Sequence, residues 1–314
     1  MTQTAIYSLY TNGEFIWNKN HQVMLNGAGL SGSGEAPSQP ALILKLPGSQ
    51  TKFYVFTVGS KYGNLNGLHY NVIDLSLDGG LGGIVTGQKD IAILEGSDAN
   101  EVITGYKHAN GKDYWIIVRK FNNDKFAVFK FTSAGIDVNP IFSQTRYITT
   151  TAITRPMRCS PDGHLLLCPF ATTSSSSNSE DIEICDFNSQ TGAITFKYTL
   201  KEFSLGVTLK DMEISPDSKL LYCVFPYSDS PPQQHIYQYD LTQSDSLNLL
   251  LSKIIISGNA GLMQLAPDGK IYSRSYDYST GIAMFPDSLS VINKPWVRGS
   301  GCDFNLQQYI LEAL

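Results

Sequence analysis

Three segments of this chain repeat one another: Arg158-Cys-Ser-Pro-Asp-Gly-His-Leu-Leu-Leu167, Glu213-Ile-Ser-Pro-Asp-Ser-Lys-Leu-Leu-Tyr222 and Gln264-Leu-Ala-Pro-Asp-Gly-Lys-Ile-Tyr272. In each, one apolar run enters a Pro-Asp turn and a second leaves it. Proline presets the turn dihedral and glycine accepts positive φ, so the unit is a hairpin with a mechanism. Looser copies stand at Lys45–Phe56 and Tyr106–Ile117. Measured between the turn glycine or its equivalent, at Gly111, Gly163, Ser218 and Gly269, the steps are 52, 55 and 51 residues. Turn chemistry recurring at such a step, with room for four strands in each interval, indicates a β-propeller blade. A solenoid has shorter repeats, and a sandwich does not repeat its turn at a fixed interval.

The expected fold is therefore all-β, a β-propeller of four-stranded antiparallel blades. Six to seven blades are expected, incomplete or unusually closed, in a single domain over 1–314. Approximate blade limits are 1–40 (partial), 41–97, 98–152, 153–205, 206–258 and 259–314. Asn12-Gly13 between apolar runs marks the first hairpin. Residues 26–40, rich in Gly, Ser and Pro, read as a surface loop, as does 172–181 with its four consecutive serines. No stretch has a convincing helical period; 98–104 and 307–313 are the only debatable ones.

Composition narrows the function. Charged residues make up 16 % and the net charge is −5, which argues against the basic footprint of a nucleic-acid binder. The first residues lack a signal peptide's basic start and apolar core, and no apolar run is long enough to span a bilayer, so the chain as given reads as soluble. The five cysteines form no metal-ligand spacing. They read as small buried hydrophobes, the alternative being one disulfide, Cys159–Cys168, across its hairpin.

Asn18-Lys-Asn-His-Gln-Val-Met24, Gly67-Leu-His-Tyr-Asn-Val-Ile-Asp-Leu-Ser-Leu-Asp-Gly-Gly-Leu-Gly82 and Lys107-His-Ala-Asn-Gly-Lys-Asp-Tyr-Trp115 are similar to stretches in a large group of Bacteroidetes secreted and surface proteins. So are Ile236-Tyr-Gln-Tyr-Asp-Leu241 and the repeats at 216–222 and 264–272, in the same order. In that group an N-terminal propeller precedes immunoglobulin-like repeats and a sorting domain for type IX secretion. The resemblance implies an extracellular or cell-surface setting, an adhesin-like role and seven blades. It transfers no catalytic residues. Against the family pattern the chain starts after a leader and an innermost strand, and stops before a further strand, so it reads as a fragment or a shortened relative. An open blade edge would invite self-association.

Innermost blade strands line a central channel, so their polar residues are the first candidates. Arg158, Glu213 and Gln264 stand three residues before the turn proline in equal register, and Tyr106 is their counterpart one unit earlier. Alternation sends them to one face. Such a ring can hold a sugar, a small acid or a cation, or it can be a mutually hydrogen-bonded, water-filled lining. Glu101 joins Glu213 and Arg158 as the charged set that a catalytic channel would use. Tyr62, Tyr227, Tyr276, Tyr278 and Trp296 fall in expected loops and form the second set, because loops on a rigid scaffold carry binding and aromatic rings supply contact area at low entropic cost.

Catalytic motifs are missing. The five histidines are scattered, with no paired spacing for zinc. Gly-Leu-Ser-Gly-Ser at 29–33 falls short of a nucleophile elbow. Gly79–Gly83 lacks the helix that a phosphate cradle needs. No cofactor and no metal site is expected. The leading expectation is a non-enzymatic recognition or adhesion module for a glycan or protein partner, using loops and channel mouth, with no nucleic acid and no membrane insertion. A hydrolase, lactonase-like or lyase-like, at the channel and a structural spacer in a large surface protein are the alternatives.

Overall fold

The computed structural model describes residues 9–32, 39–59, 67–95, 99–121, 123–148, 155–174, 177–201, 209–227, 233–257, 260–275 and 288–310. The chain is all-β and divides into two compact units. Unit 1 comprises Met1–Pro156 with Asn188–Thr195, and unit 2 comprises Met157–Phe187 with Phe196–Leu314.

Unit 1 opens with β1 (Leu9–Thr11), β2 (Phe15–Asn18) and β3 (Val23–Ala28). The Asn12-Gly13 signal works as expected: Asn12 accepts the Glu14 and Phe15 amides, and Tyr10 pairs with Trp17. Then come β4 (Ala41–Lys45), β5 (Lys52–Val58), β6 (Leu68–Asp74), a 3-10 turn at Asp78–Gly80, β7 (Gly83–Ile84) and β8 (Ile91–Leu94). A parallel contact of Leu25 with Gly83 ties β3 to β7, so the first two strand groups fuse into one eight-stranded sheet. The second sheet holds β9 (Ile103–Lys107), β10 (Tyr114–Arg119), β11 (Lys125–Thr132), β12 (Gly135–Ile136) and β13 (Ile141–Gln144). Phe56, Val58 and Leu68 of the first sheet pack on Ile116, Val118 and Phe129 of the second. The turn 188–195 belongs here because Trp115 holds it: the indole N–H donates to the Ser189 carbonyl at 2.7 Å and Gly192 lies on the ring.

Unit 2 is a run of three sheets. The first is β14 (Arg158–Cys159), β15 (Leu165–Ser174), β16 (Ser177–Phe187) and β17 (Ile194–Leu200). The second is β18 (Asp211–Ile214), β19 (Leu220–Tyr227), β20 (Gln233–Asp240) and β21 (Ile254–Ser257), with helix α1 (Ser246–Leu251) before its last strand. The third is β22 (Ala260–Leu265), β23 (Ile271–Ser275), β24 (Ser288–Ile292) and β25 (Phe304–Ile310), with a 3-10 turn at Gly299–Cys302. Each is an up-and-down meander, and one apolar core lies between each successive pair. That is the propeller-like arrangement that the repeat predicts.

The repeated turns are superimposable in their bonding. Gly163 donates to the Ser160 carbonyl, Ser218 to Ser215 and Gly269 to Ala266, at 2.8, 2.8 and 2.9 Å. Gly163, Ser218 and Gly269 have φ of 75°, 63° and 79°. In the first two turns the serine hydroxyl also donates to the aspartate carboxylate, Ser160 to Asp162 and Ser215 to Asp217.

Three readings are corrected. The described residues form four blade-like meanders and the fused first sheet, not six to seven blades, because β3 turns its edge onto β7. The serine-rich stretch at 172–181 is strand where it is described: Thr172–Ser174 end β15 and Ser177–Asp181 open β16, paired antiparallel, while 175 and 176 lie outside the described residues. The helix α1 lies where none was expected, started by Asp245, whose side chain accepts the Asn248 amide. The cysteines are unpaired, as their leading reading has it: all five are free and four are buried, while Cys159 stands opposite Leu166, so the alternative Cys159–Cys168 disulfide is out of register.

Candidate functional site

Unit 2 carries two built features. The first is a charge cluster on the leading strands of its sheets. Arg158 on β14 reaches two carboxylates of β18: its Nη2 lies 3.6 Å from Asp211 Oδ1 and its Nε 3.4 Å from Glu213 Oε2. Asp211 and Glu213 are two residues apart on one strand, hence on one face. Their other contacts run to backbone. Asp211 accepts the Met212 amide at 2.8 Å and the Met263 amide at 2.6 Å. Glu213 accepts the Ile214 amide at 2.9 Å and the Leu265 amide at 3.0 Å.

The last contact of each carboxylate explains its place. Met263 and Leu265 belong to β22, the leading strand of the next sheet, and the N–H groups they turn toward β18 face a strand side chain, not a ladder partner. A buried backbone donor needs an acceptor, and the two acids supply it while Arg158 offsets their charge. The cluster has one guanidinium for two carboxylates. Burial is the largest influence on Asp211 and raises its carboxyl to about 6, against the lowering effect of Arg158.

The second feature is the segment between β24 and β25. Its carbonyls are pinned by buried side chains of the neighbouring sheet. The Tyr222 hydroxyl donates to the Pro295 carbonyl at 2.9 Å, and the Gln238 amide donates to the Val297 carbonyl at 3.0 Å. Gln238 also accepts the Gly299 amide at 2.8 Å and donates to the Tyr222 hydroxyl at 2.7 Å. Arg298 lies 3.2 Å from Asp240 and donates to the Ser252 carbonyl. Burial pushes the Tyr222 phenol up and keeps it protonated as the donor. Between the two pinned carbonyls stands Trp296, 49 % exposed.

Of the expected channel residues, the structure brings Arg158 and Glu213 together. Gln264 does not join them: it is exposed and donates to the carbonyl of Leu265 on its own strand. Tyr106 and Glu101 belong to unit 1, the first half-buried opposite Trp115 on β9, the second buried just before that strand. Of the aromatic set, Trp296 is exposed as expected. Tyr227 closes strand β19 and is not in a loop, while Tyr62, Tyr276 and Tyr278 lie outside the described residues. Asp211 was missed, although Asp-Met-Glu at 211–213 spells two acids on one strand face. Tyr222, Gln238 and Arg298 carry no local signal for what they clamp. Among the described residues, no group of three or more His, Cys, Asp or Glu is placed to hold a metal ion.

No family model matches the chain, and no curated protein matches it either. Solved structures share its general form at a distance. Hydrazine synthase of Kuenenia stuttgartiensis is 10 % identical over 95 % of this chain and 79 % of its own, with a TM-score of 0.45. The Cps50 (Swd1) β-propeller domain of Myceliophteria thermophila is 8 % identical over 83 % and 73 %, with a TM-score of 0.44. An exo-β-1,3-galactanase of Phanerochaete chrysosporium is 7 % identical over 90 % and 68 %, with a TM-score of 0.43. Likeness at this level carries no inference about activity.

Proposed function

We propose that this chain is a non-enzymatic recognition module that takes a saccharide on Trp296. The supporting observation is the clamp. Pro295 and Val297 are each fixed through their carbonyls, so the indole between them is offered on a backbone whose ordering entropy was lost on folding, not on binding. The same segment carries Lys294, Arg298, Ser300 and Asp303, all exposed. An exposed indole in a segment with polar residues suits the C–H face of a sugar ring with its hydroxyls at the rim. The resemblance to secreted surface proteins supports an extracellular or cell-surface setting for such a module.

The charge cluster gives the enzyme reading its one observation, since a carboxyl shifted to about 6 is a mark of functional sites. Against it, both Asp211 oxygens already accept backbone amides. We read the cluster as structural.

Titration with soluble neutral and uronate-containing polysaccharides, followed by tryptophan fluorescence, tests the saccharide reading. At least one should shift the emission, and Trp296→Ala should abolish the response with the melting temperature unchanged. Binding that survives in Trp296→Ala, or no response to any polysaccharide beside capture of a protein partner through Trp296, refutes it. Lactone hydrolysis lost in Asp211→Asn would favour the enzyme instead.

A further inference from the structure

Strand β13 in unit 1 has an open edge. Among the described residues it pairs with β11 alone: Ile141, Phe142, Ser143 and Gln144 stand opposite Val128, Ala127, Phe126 and Lys125. Backbone groups alternate in direction along an antiparallel strand. The Thr145 amide bonds the Asp124 carbonyl at 2.6 Å, so Thr145 faces β11, and Gln144 and Phe142 turn their N–H and C=O groups away from it. Among the described residues those outward groups have no partner. A donor and an acceptor at every second residue make a template for one more strand, and what fits it is another extended backbone.

The side chains along that edge say which kind of backbone. Phe142 is 52 % and Ile141 39 % exposed, on opposite faces of the strand. Two cations lie on the Phe142 face. Lys120 donates its backbone N–H to the Lys125 carbonyl at 2.9 Å, one step beyond the Arg119–Phe126 pair, so the two lysines stand opposite each other. Both ammonium groups lie over the exposed Phe142 ring, 5.6 and 5.9 Å from its centroid. Beside them the Asp124 carboxylate accepts the Gln144 side-chain amide at 2.9 Å, which leaves two cations to one acid at the edge. Like charges placed directly opposite repel, and a further carboxylate relieves them. Edge lysines keep neutral and basic strands away; an acidic strand gains from them. We propose that the β13 edge takes up an extended peptide whose side chains alternate, acidic on the Phe142 face and apolar on the Ile141 face.

Fluorescence anisotropy at low ionic strength tests this with two labelled synthetic peptides, one alternating valine with glutamate and the other valine with lysine. The full chain should bind the glutamate peptide and not the lysine one, and more weakly as salt rises. Lys120→Glu combined with Lys125→Glu should reverse that preference. Gln144→Pro removes an outward N–H that no ladder bond uses, and it should abolish binding with the melting temperature unchanged. Hydrogen exchange at the Phe142 amide of the wild type should slow when the glutamate peptide is bound, a readout independent of any folding defect in the variants. Equal binding of both peptides, binding of neither, or unchanged exchange at Phe142 overturns the inference. Glutamate-peptide binding that survives Gln144→Pro overturns it too, since charge alone then holds the peptide. So does a dimer of the chain that Gln144→Pro dissolves, which gives the edge to a second copy.

Discussion

Replacing Arg158 by methionine keeps a long side chain between β14 and β18 and removes only the cation. The magnitude comes from the geometry. At 3.6 and 3.4 Å, and an effective dielectric of about 20, each ion contact is worth about 4–5 kcal/mol before desolvation is counted. Desolvating the guanidinium offsets much of that. The variant, however, keeps both carboxylates buried, with side chains only 3 and 6 % exposed, and breaking a buried pair from one side costs about 3–5 kcal/mol. The loss must depend on pH. Asp211 has its folded value raised to about 6, so the stability it contributes is fully present below its unfolded value of 3.8 and is lost as pH rises through the folded one. Without Arg158 that folded value rises further. The variant should therefore be hurt most near pH 8 and least near pH 4.5, by a margin of about 2 kcal/mol. Urea unfolding at the two pH values gives the stabilities, and hydrogen exchange at the Met263 and Leu265 amides reports the local opening. A loss below about 1 kcal/mol at pH 8, or the same loss at both pH values, refutes the cluster as an inter-sheet tie.

In the wild type, stability should rise by about 2 kcal/mol as pH falls from 7.5 to 4.5 through the Asp211 titration, and Asp211→Asn should flatten that slope in urea melts. Ser218 holds φ of 63° and its hydroxyl accepts the Asp162 amide at 3.0 Å, so Ser218→Gly should be near neutral, losing a bond while relieving strain. Ser218→Val should cost about 2 kcal/mol or more, because a β-branched side chain resists that conformation and cannot accept the bond. In unit 1, Gly192→Ala should destabilise and raise amide exchange across 188–195: the added Cβ would stand 2.9 Å from the Trp115 ring, at a φ of +77°. Thermal melts and exchange measurements check both positive-φ turns.

The architecture was legible where short-range chemistry decides it. Pro-Asp-Gly and Asn-Gly fix their turns through dihedral preference alone, and the step between them sets the strand count of each meander. The blade number was not legible, because it turns on a single parallel contact, Leu25 with Gly83, between residues 58 apart with no turn signal joining them. Helix α1 was hidden because Leu247–Leu251 has the apolar density of a strand, while its start depends on one capping aspartate. Trp296 could be named from its loop position, but its rigidity comes from Tyr222 and Gln238, whose strand pattern says only that they face inward.

The channel register shows how far a repeat can be carried into function. Arg158, Glu213 and Gln264 occupy one position of one repeat, yet their roles differ with the strand that lies beside each. Glu213 faces the amide edge of β22 and is held there as an acceptor. Arg158 cannot accept an N–H group; it meets the acids of β18 and offsets their charge. Gln264, exposed, turns its amide onto its own strand. A repeat thus sets where a side chain starts, and the neighbouring strand decides what it does. The inference runs the other way for Trp296, which belongs to no repeated position and whose loop is held by Tyr222, Gln238 and Asp240 of the adjoining sheet. Within unit 2, Arg158 and Glu213 tie neighbouring sheets to one another, whereas Gln264 at the same repeated position does not.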